Sequence, residues 1–364
     1  MMLSQERHRE IVTGTGLASG DGLLRVLLGM AAIPFWMGTS ARNAMFDLGL
    51  RTAKKVNIPV VSIGNITTGG TGKTPVVALV CELCRELGIA PGIISRGYRS
   101  LDGQANDEKL LLELLLPDVP HVQNRQRILA AEEILRSSDR PAPGMLVMDD
   151  GFQHRQLHRD LDIVLIDATN PFGYERLLPR GLLREPLESL KRADVVLLTR
   201  ANQVSNATRA TLLQQLQSLV RPGVPVLSVS FEPTQLVGVS GEIRDIAIKE
   251  KQIVTAFCGI GAPENFFATI RKLGLKLDPE QTIAFPDHHH YTATDLERVR
   301  KLAHAERSDA VLMTLKDLVK VRPLMSSWRE DAGFKSQLWA LDIAAVMPEQ
   351  DRERLKQRIE GLSP

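Results

Sequence analysis

One stretch limits the fold of this chain more than any other. Thr68-Gly69-Gly70-Thr71-Gly72-Lys73-Thr74 sits between an apolar run, Pro59–Ile63, and a helical pattern over Lys73–Leu87. Small residues let backbone N–H groups close round phosphate oxygens, and the helix that follows presents its positive N-terminus to them. Lys73 can reach β- and γ-phosphates, and the Thr74 hydroxyl can ligate magnesium. The strict spacing asks for glycine at position 67, where this chain has Thr67, and Gly69 and Gly70 crowd the loop instead. A chance glycine turn is the alternative reading, but the strand–loop–helix setting argues against it. Thr68, Gly69, Gly70, Thr71, Gly72, Lys73 and Thr74 are therefore the expected nucleotide-binding set.

Short apolar runs alternate with helical patterns through the first two-thirds of the 364 residues. Strands are expected at Pro59–Ile63, Gly92–Ser95, Met145–Met148, Asp162–Ile166, Asp194–Thr199 and Pro225–Val229. Helices are expected at Lys73–Leu87, Glu108–Leu116, Gln126–Arg136 and Ala207–Val220. Continuous apolar strands separated by helices argue for a parallel sheet covered on both faces. The pattern loosens over 232–250, where Glu232-Pro233 and the charged stretch Glu242–Lys251 read as a linker. A second alternation follows, with strands at Ile253–Cys258, Thr282–Phe285, Ala310–Thr314 and Gln337–Leu341. Its helices fall at Glu264–Leu273, Ala293–His304 and Gln350–Glu360. The expected fold class is α/β: a P-loop NTPase-like parallel-sheet domain (56–235), an N-terminal membrane-associated helical segment (1–55) and a second, smaller α/β domain (236–364).

The net charge is only +2, which gives no whole-protein case for nucleic acid. Three cysteines do not make a disulfide scaffold and fit a reducing compartment. Cys81-x-x-Cys84 falls inside the helix after the glycine loop, so a buried structural pair is expected rather than a redox site. The N-terminal run GLLRVLLGMAAIPFWMGT carries no charge from Val26 to Ala41, with Arg25, Arg42, Arg51, Lys54 and Lys55 around it. It is short for a span of about 20 apolar residues, and Pro34 interrupts it. It reads as an interfacial segment on an anionic membrane surface, or alternatively as a core helix packed on the next domain.

Four further motifs carry chemistry. Met145–Met148 leads into Asp149-Asp150-Gly151-Phe152-Gln153-His154, and an apolar strand ending in carboxylates is where a parallel sheet presents ligands. One aspartate can hold magnesium, and neighbours on a strand point to opposite faces. Ser95-Arg96-Gly97-Tyr98-Arg99 and Asn106-Asp107-Glu108 follow the second strand, on the same rim. Asp107 could accept a proton from an attacking hydroxyl, or simply cap a helix. Phe285-Pro-Asp287-His288-His289-His290-Tyr291 invites a zinc reading, but adjacent histidines cannot all face one ion. His154 and His158 have i, i+4 spacing, yet Arg155 and Arg159 beside them would repel a cation. One histidine supporting a general base fits better.

Taken together, Gly64-Asn65…Lys73-Thr74-Pro75, Ser95-Arg-Gly-Tyr98, Asp149–His154, Leu178-Pro-Arg180-Gly-Leu-Leu-Arg184-Glu185-Pro186 and Phe285-Pro-Asp-His288 resemble the tetraacyldisaccharide 4′-kinase family. The blocks run in the family's order, and the family's loop also lacks the first glycine. The resemblance implies phosphorylation of the 4′-hydroxyl of a tetraacyldisaccharide 1-phosphate with ATP and magnesium, at the cytoplasmic face of the inner membrane. It implies Asp107 as general base with His288 as its partner, and Lys73 at the transferred phosphate. Asp149 and Asp150 become magnesium-side carboxylates with Thr74, and Arg184-Glu185 a pair near the active site, with Glu185 placed among the metal ligands. Partners would be the acylated disaccharide and the membrane surface, with no nucleic acid and no obligate protein partner. The sugar is expected to enter between the two domains, with closure completing the site. This chain has Asn106 where the family usually has glycine, Leu315 where it usually has glutamate, and Arg180 within a Leu-Pro-Ala-Gly block. A P-loop kinase of a soluble metabolite and a membrane-associated ATPase switch remain the alternatives from the motifs alone.

Overall fold

Val60–Asn65 (β1) is buried along its whole length, as its apolar composition requires. It lies near the middle of a seven-stranded sheet with Pro91–Ser95 (β2), His121–Gln123 (β3), Met145–Asp149 (β4), Leu161–Asp167 (β5), Val195–Thr199 (β6) and Val226–Ser228 (β7). The order is β3-β2-β4-β1-β5-β6-β7, and all the neighbouring pairs are parallel. The computed structural model describes residues 10–11, 21–97, 107–137, 142–246, 252–327, 334 and 337–362. Tyr98, Arg99 and Asn106 of the sequence motifs, and residues 247–251 of the expected linker, lie outside the described residues.

The chain divides into two units. One holds Met1–Gly97, Val119–Phe231 and Ala345–Pro364, and the other holds Tyr98–Asp118 and Glu232–Ala344. In the first unit the helices are Asp21–Asp47 (α1), Lys73–Glu86 (α2), Arg127–Arg136, Asn206–Leu219 and Glu349–Glu360. Val76, Val77, Val80, Leu83 and Cys84 of α2 are buried, and Gly88 ends the helix in a left-handed conformation. Cys81 and Cys84 are buried free thiols. Burial pushes Cys84 up to about 12, so the pair is a packing element.

α1 departs from expectation. Pro34 does not interrupt it, and the helix runs unbroken over 27 residues. A proline costs a helix interior about 3 kcal/mol, which a long apolar helix with good formers on both sides can absorb.

The second unit carries a six-stranded sheet of Ser230–Gly238 (β8), Ile243–Asp245 (β9), Val254–Cys258 (β10), Thr282–Ala284 (β11), Ala310–Thr314 (β12) and Leu338–Val346 (β13). The order is β11-β10-β12-β13-β8-β9. β10 pairs in parallel with β11 and β12, and β12 with β13, whereas β8 and β9 are antiparallel. The expected linker over 232–250 is thus largely sheet. β8 alternates half-buried and exposed positions from Phe231 to Gln235 and ends buried at Val237 and Gly238, and its ladder with β9 spans only Gln235–Val237. Pro233 is therefore not asked to donate on that side. Asp107–Leu115 (α3) from the excursion after β2 belongs to this unit. Its Leu111, Leu114 and Leu115 join the core built from Phe257, Leu296, Leu318 and Leu338. Leu318 comes from Leu315–Ser327, a helix that its mixed charges and Pro323 hid from the pattern.

Candidate active site

The glycine loop leaves β1 at Asn65, whose side-chain amide donates to the Thr67 carbonyl at 2.6 Å. The backbone at Thr68 donates to Leu182 at 2.7 Å, so a loop from the 173–183 turn braces the entry. Gly69 and Gly72 take left-handed φ values of 113° and 86°, and Gly69 and Gly70 have no neighbouring atoms within 4 Å of where a Cβ would stand. The loop is an open cradle of backbone. α2 begins with no side-chain cap, which leaves its first amides for a phosphate. The buried Thr71 hydroxyl also has no partner among the described residues.

Lys73 Nζ lies 3.5 Å from Asp150 Oδ1 and 3.4 Å from Asn65 Oδ1. Arg184 reaches the same carboxylate at 3.1 Å. Burial disfavours the Asp150 charge, but Lys73 and Arg184 outweigh it and hold the carboxyl below its ordinary range. Asp150 takes a left-handed φ of 51°, and Gly151 donates its N–H to Ile63 at 3.0 Å. The Asp-Asp-Gly-Phe turn therefore crosses directly over β1. A Cβ on Gly64 would stand 2.6 Å from Phe152 Cβ and N, so glycine there is what lets the turn close. Asp149, in register with Ile63 on β1, is buried.

Two anchors were not read from the sequence. Arg200 donates to the Gly70 carbonyl at 2.6 Å and pairs with Asp167 at the end of β5, and Thr199 donates to the Thr71 carbonyl at 3.0 Å. The ends of β5 and β6 thus hold the loop's shape. Arg127 is the second, a guanidinium buried at 2% exposure. Burial pulls it down to about 10, with Asp150 and Asp149 opposing. A polar residue opening a helix gave no signal that it would be fully enclosed. His154 falls to about 4 through burial and the nearby Arg127, Arg159, Arg96 and Arg42. It is neutral near pH 7, among cations that oppose a metal.

Glu185 has cations for partners. It was expected beside the metal, yet it is fully buried. Its two oxygens meet Arg42 at 2.5 Å and Arg192 at 2.6 Å, with Asn43 at 3.3 Å. Both lone-pair faces are spent on cations, so it ties the C-terminal part of α1 to the sheet domain. No group of three or more His, Cys, Asp or Glu side chains with metal-holding geometry occurs among the described residues. Of the remaining expected donors, Asp150 faces Lys73 and Arg184, while Thr74 and Asp149 fit magnesium, which takes one or two carboxylates and completes its shell with water and substrate phosphates.

The second unit holds the other predicted pair. Asp107 opens α3, and its Oδ2 lies 3.3 Å from His288 Nδ1. Lys320, unforeseen, sits closer at 2.9 Å and is nearly buried. Burial raises the Asp107 pKa, but Lys320, His288 and Lys316 outweigh it and the net shift is downward. His288 adopts φ 61° and its N–H donates to the Gly259 carbonyl at 3.3 Å; the same glycine is held by a buried carboxylate. Asp317 accepts from Gly259 N–H at 3.1 Å, Tyr291 hydroxyl at 2.8 Å and Thr314 hydroxyl at 2.6 Å. The rest of the histidine run is split. His289 stacks on Phe285 and bonds Asp295 at 3.1 Å, while His290 is exposed.

A parallel sheet with an uncapped glycine loop after its central strand, a lysine opening the next helix and a carboxylate turn on the adjacent strand defines a P-loop phosphoryl-transfer protein. The family described as Tetraacyldisaccharide-1-P 4′-kinase matches residues 24–360. The tetraacyldisaccharide 4′-kinase of Syntrophus aciditrophicus is 33% identical over 344 residues, covering 88% of this chain and 90% of that protein. That of Chlorobaculum tepidum is 36% identical over 305 residues, covering 79% and 84%. The crystal structure of LpxK from Aquifex aeolicus in complex with ATP has a TM-score of 0.73 and 28% identity, covering 94% of this chain and all of that one. The chain belongs to the tetraacyldisaccharide-1-P 4′-kinase family.

Proposed function

We propose that this protein transfers the γ-phosphoryl group of ATP to the 4′-hydroxyl of a tetraacyldisaccharide 1-phosphate. The observation that carries the reading is the Lys73–Asp150–Arg184 cluster beside an open glycine loop, in a chain that matches the family over most of its length. Backbone amides of Gly69–Thr74 cradle the phosphates, and Lys73 meets charge gathering on the γ-phosphoryl oxygens. Asp150 and Asn65 hold Lys73 in place. Thr74 and Asp149 would hold magnesium, which would supply charge neutralisation at the phosphates. Asp107 accepts the hydroxyl proton, oriented by His288. Its lowered pKa makes it a modest base, which suits a loose transition state in which little proton transfer is needed early.

On the same reading α1 lies in a membrane surface, with the kinase on the cytoplasmic side where ATP is supplied. Leu23, Val26, Leu27, Met30, Ile33, Trp36 and Met37 are each 47–67% exposed. Left in water, such a band would forgo about 1 kcal/mol or more per residue. The helix's other flank is half-buried and its end is tied down through Glu185, which favours lying on the surface over spanning it. The test is ATP consumption with and without the acylated disaccharide 1-phosphate, with product mass measured. Acceptor-dependent turnover and a product heavier by one phosphoryl group are expected. ATP hydrolysis that ignores the acceptor and leaves it unmodified would overturn the proposal in favour of an ATPase switch.

A further inference from the structure

A cavity of about 410 Å³ lies between α1 and the turn that braces the glycine loop. Three of its lining residues are arginines: Arg25 from the helix, Arg176 and Arg180 from the turn. No carboxylate lines it, and among the described residues none of the three arginines has an acidic partner within 4 Å. Arg25 Nε donates to the Ile11 carbonyl at 3.1 Å, which fixes the side chain while leaving its terminal nitrogens for another group. Three guanidiniums converging without an anion make a phosphate-sized demand for negative charge.

The helix wall of the cavity is apolar: Val26, Gly29 and Ala32. Val26 also belongs to the exposed band, at 59% exposure, and Leu23, Leu27 and Met30 continue it. A soluble anion has no use for that band. A lipid uses both features, with its phosphate among the arginines and its chains along the band. We propose that this cavity is a headgroup site for an anionic phospholipid of the membrane surface. This rests on the membrane reading above and gives it a specific chemical partner. Arg176 and Arg180 lie some 150 residues beyond Arg25 in the chain, so the site forms only when the helix is docked on the folded sheet unit. Recognition of the anionic headgroup is then restricted to folded protein.

The experiment uses the full chain and vesicle flotation, with phosphatidylglycerol/phosphatidylcholine vesicles against pure phosphatidylcholine. Wild type should prefer the anionic vesicles. Each basic residue near such a surface changes partition by roughly fivefold, so Arg176→Gln/Arg180→Gln should lose about 25-fold of that preference. The Arg176→Lys/Arg180→Lys protein should keep most of it, and unchanged melting temperatures would show that both variants fold. Equal binding of wild type to the two vesicle types would overturn the site, as would a preference that survives the glutamine pair. A preference that survives while KM for the lipid acceptor rises in detergent would assign the cavity to the substrate's own phosphate instead. Acceptor turnover by wild type in detergent reports on the kinase reading separately, so failure of one is not mistaken for failure of the other.

Discussion

Lys73 and Asp107 carry separate loads, and single substitutions can tell them apart. Lys73→Met should lower kcat by about 10²–10³ at saturating acceptor, the usual loss of one charge-stabilising donor. Asp107→Asn should lower it by about 10²–10⁴, and near-normal turnover would remove Asp107 from the role of base. Lys320 gives a pH test of the same assignment. It holds the Asp107 pKa down, so Lys320→Met should move the acidic limb of the kcat profile to higher pH. The stability effect has a fixed sign. A carboxyl whose folded pKa lies below its unfolded value adds stability above the unfolded pKa and loses it as pH falls through the folded one. Chemistry-bearing residues at this scale were largely legible, because glycine loops and strand-end aspartates are local in sequence. Lys320 and Arg200 were not, since each meets its partner only through the fold. A lysine one turn beyond Lys316 on an amphipathic run was the only available hint for Lys320.

Between elements, Glu185 joins α1 to the sheet unit. Removing a buried partner strands its cations, so Glu185→Ala should cost about 3 kcal/mol by urea unfolding. Unaltered stability with a raised magnesium requirement would restore it to the metal site. The sequence placed β1, β2, β4 and β6 within a residue or two because their continuous apolar runs are signals in themselves. β8 and β9 escaped because β9 is an exposed edge strand and β8 beside it carries Glu232, Pro233, Thr234 and Gln235, which look like linker. Pro34 misled for a related reason: local propensity is a weak prior against a long apolar helix.

At the level of the whole molecule, the exposed band on α1 predicts membrane association independent of catalysis. Replacing Leu27, Ile33 and Met37 together by glutamine should abolish vesicle binding, and turnover of acceptor in detergent checks that the kinase still works. The division of the chain into an N-terminal and a C-terminal half was as far as periodicity could reach. It could not show that the backbone changes unit at 97/98, at 118/119, at 231/232 and at 344/345. Those four crossings constrain anyone who would dissect the protein. A single cut near residue 232 strips Glu349–Glu360 from α2, where Arg352 and Lys356 pair with Glu86, and leaves Asp107–Leu115 tethered to the wrong fragment. Neither half would be a self-sufficient folding unit, so recombination between relatives at that boundary should yield insoluble chimeras, whereas exchanges that carry both ends of each excursion should fold.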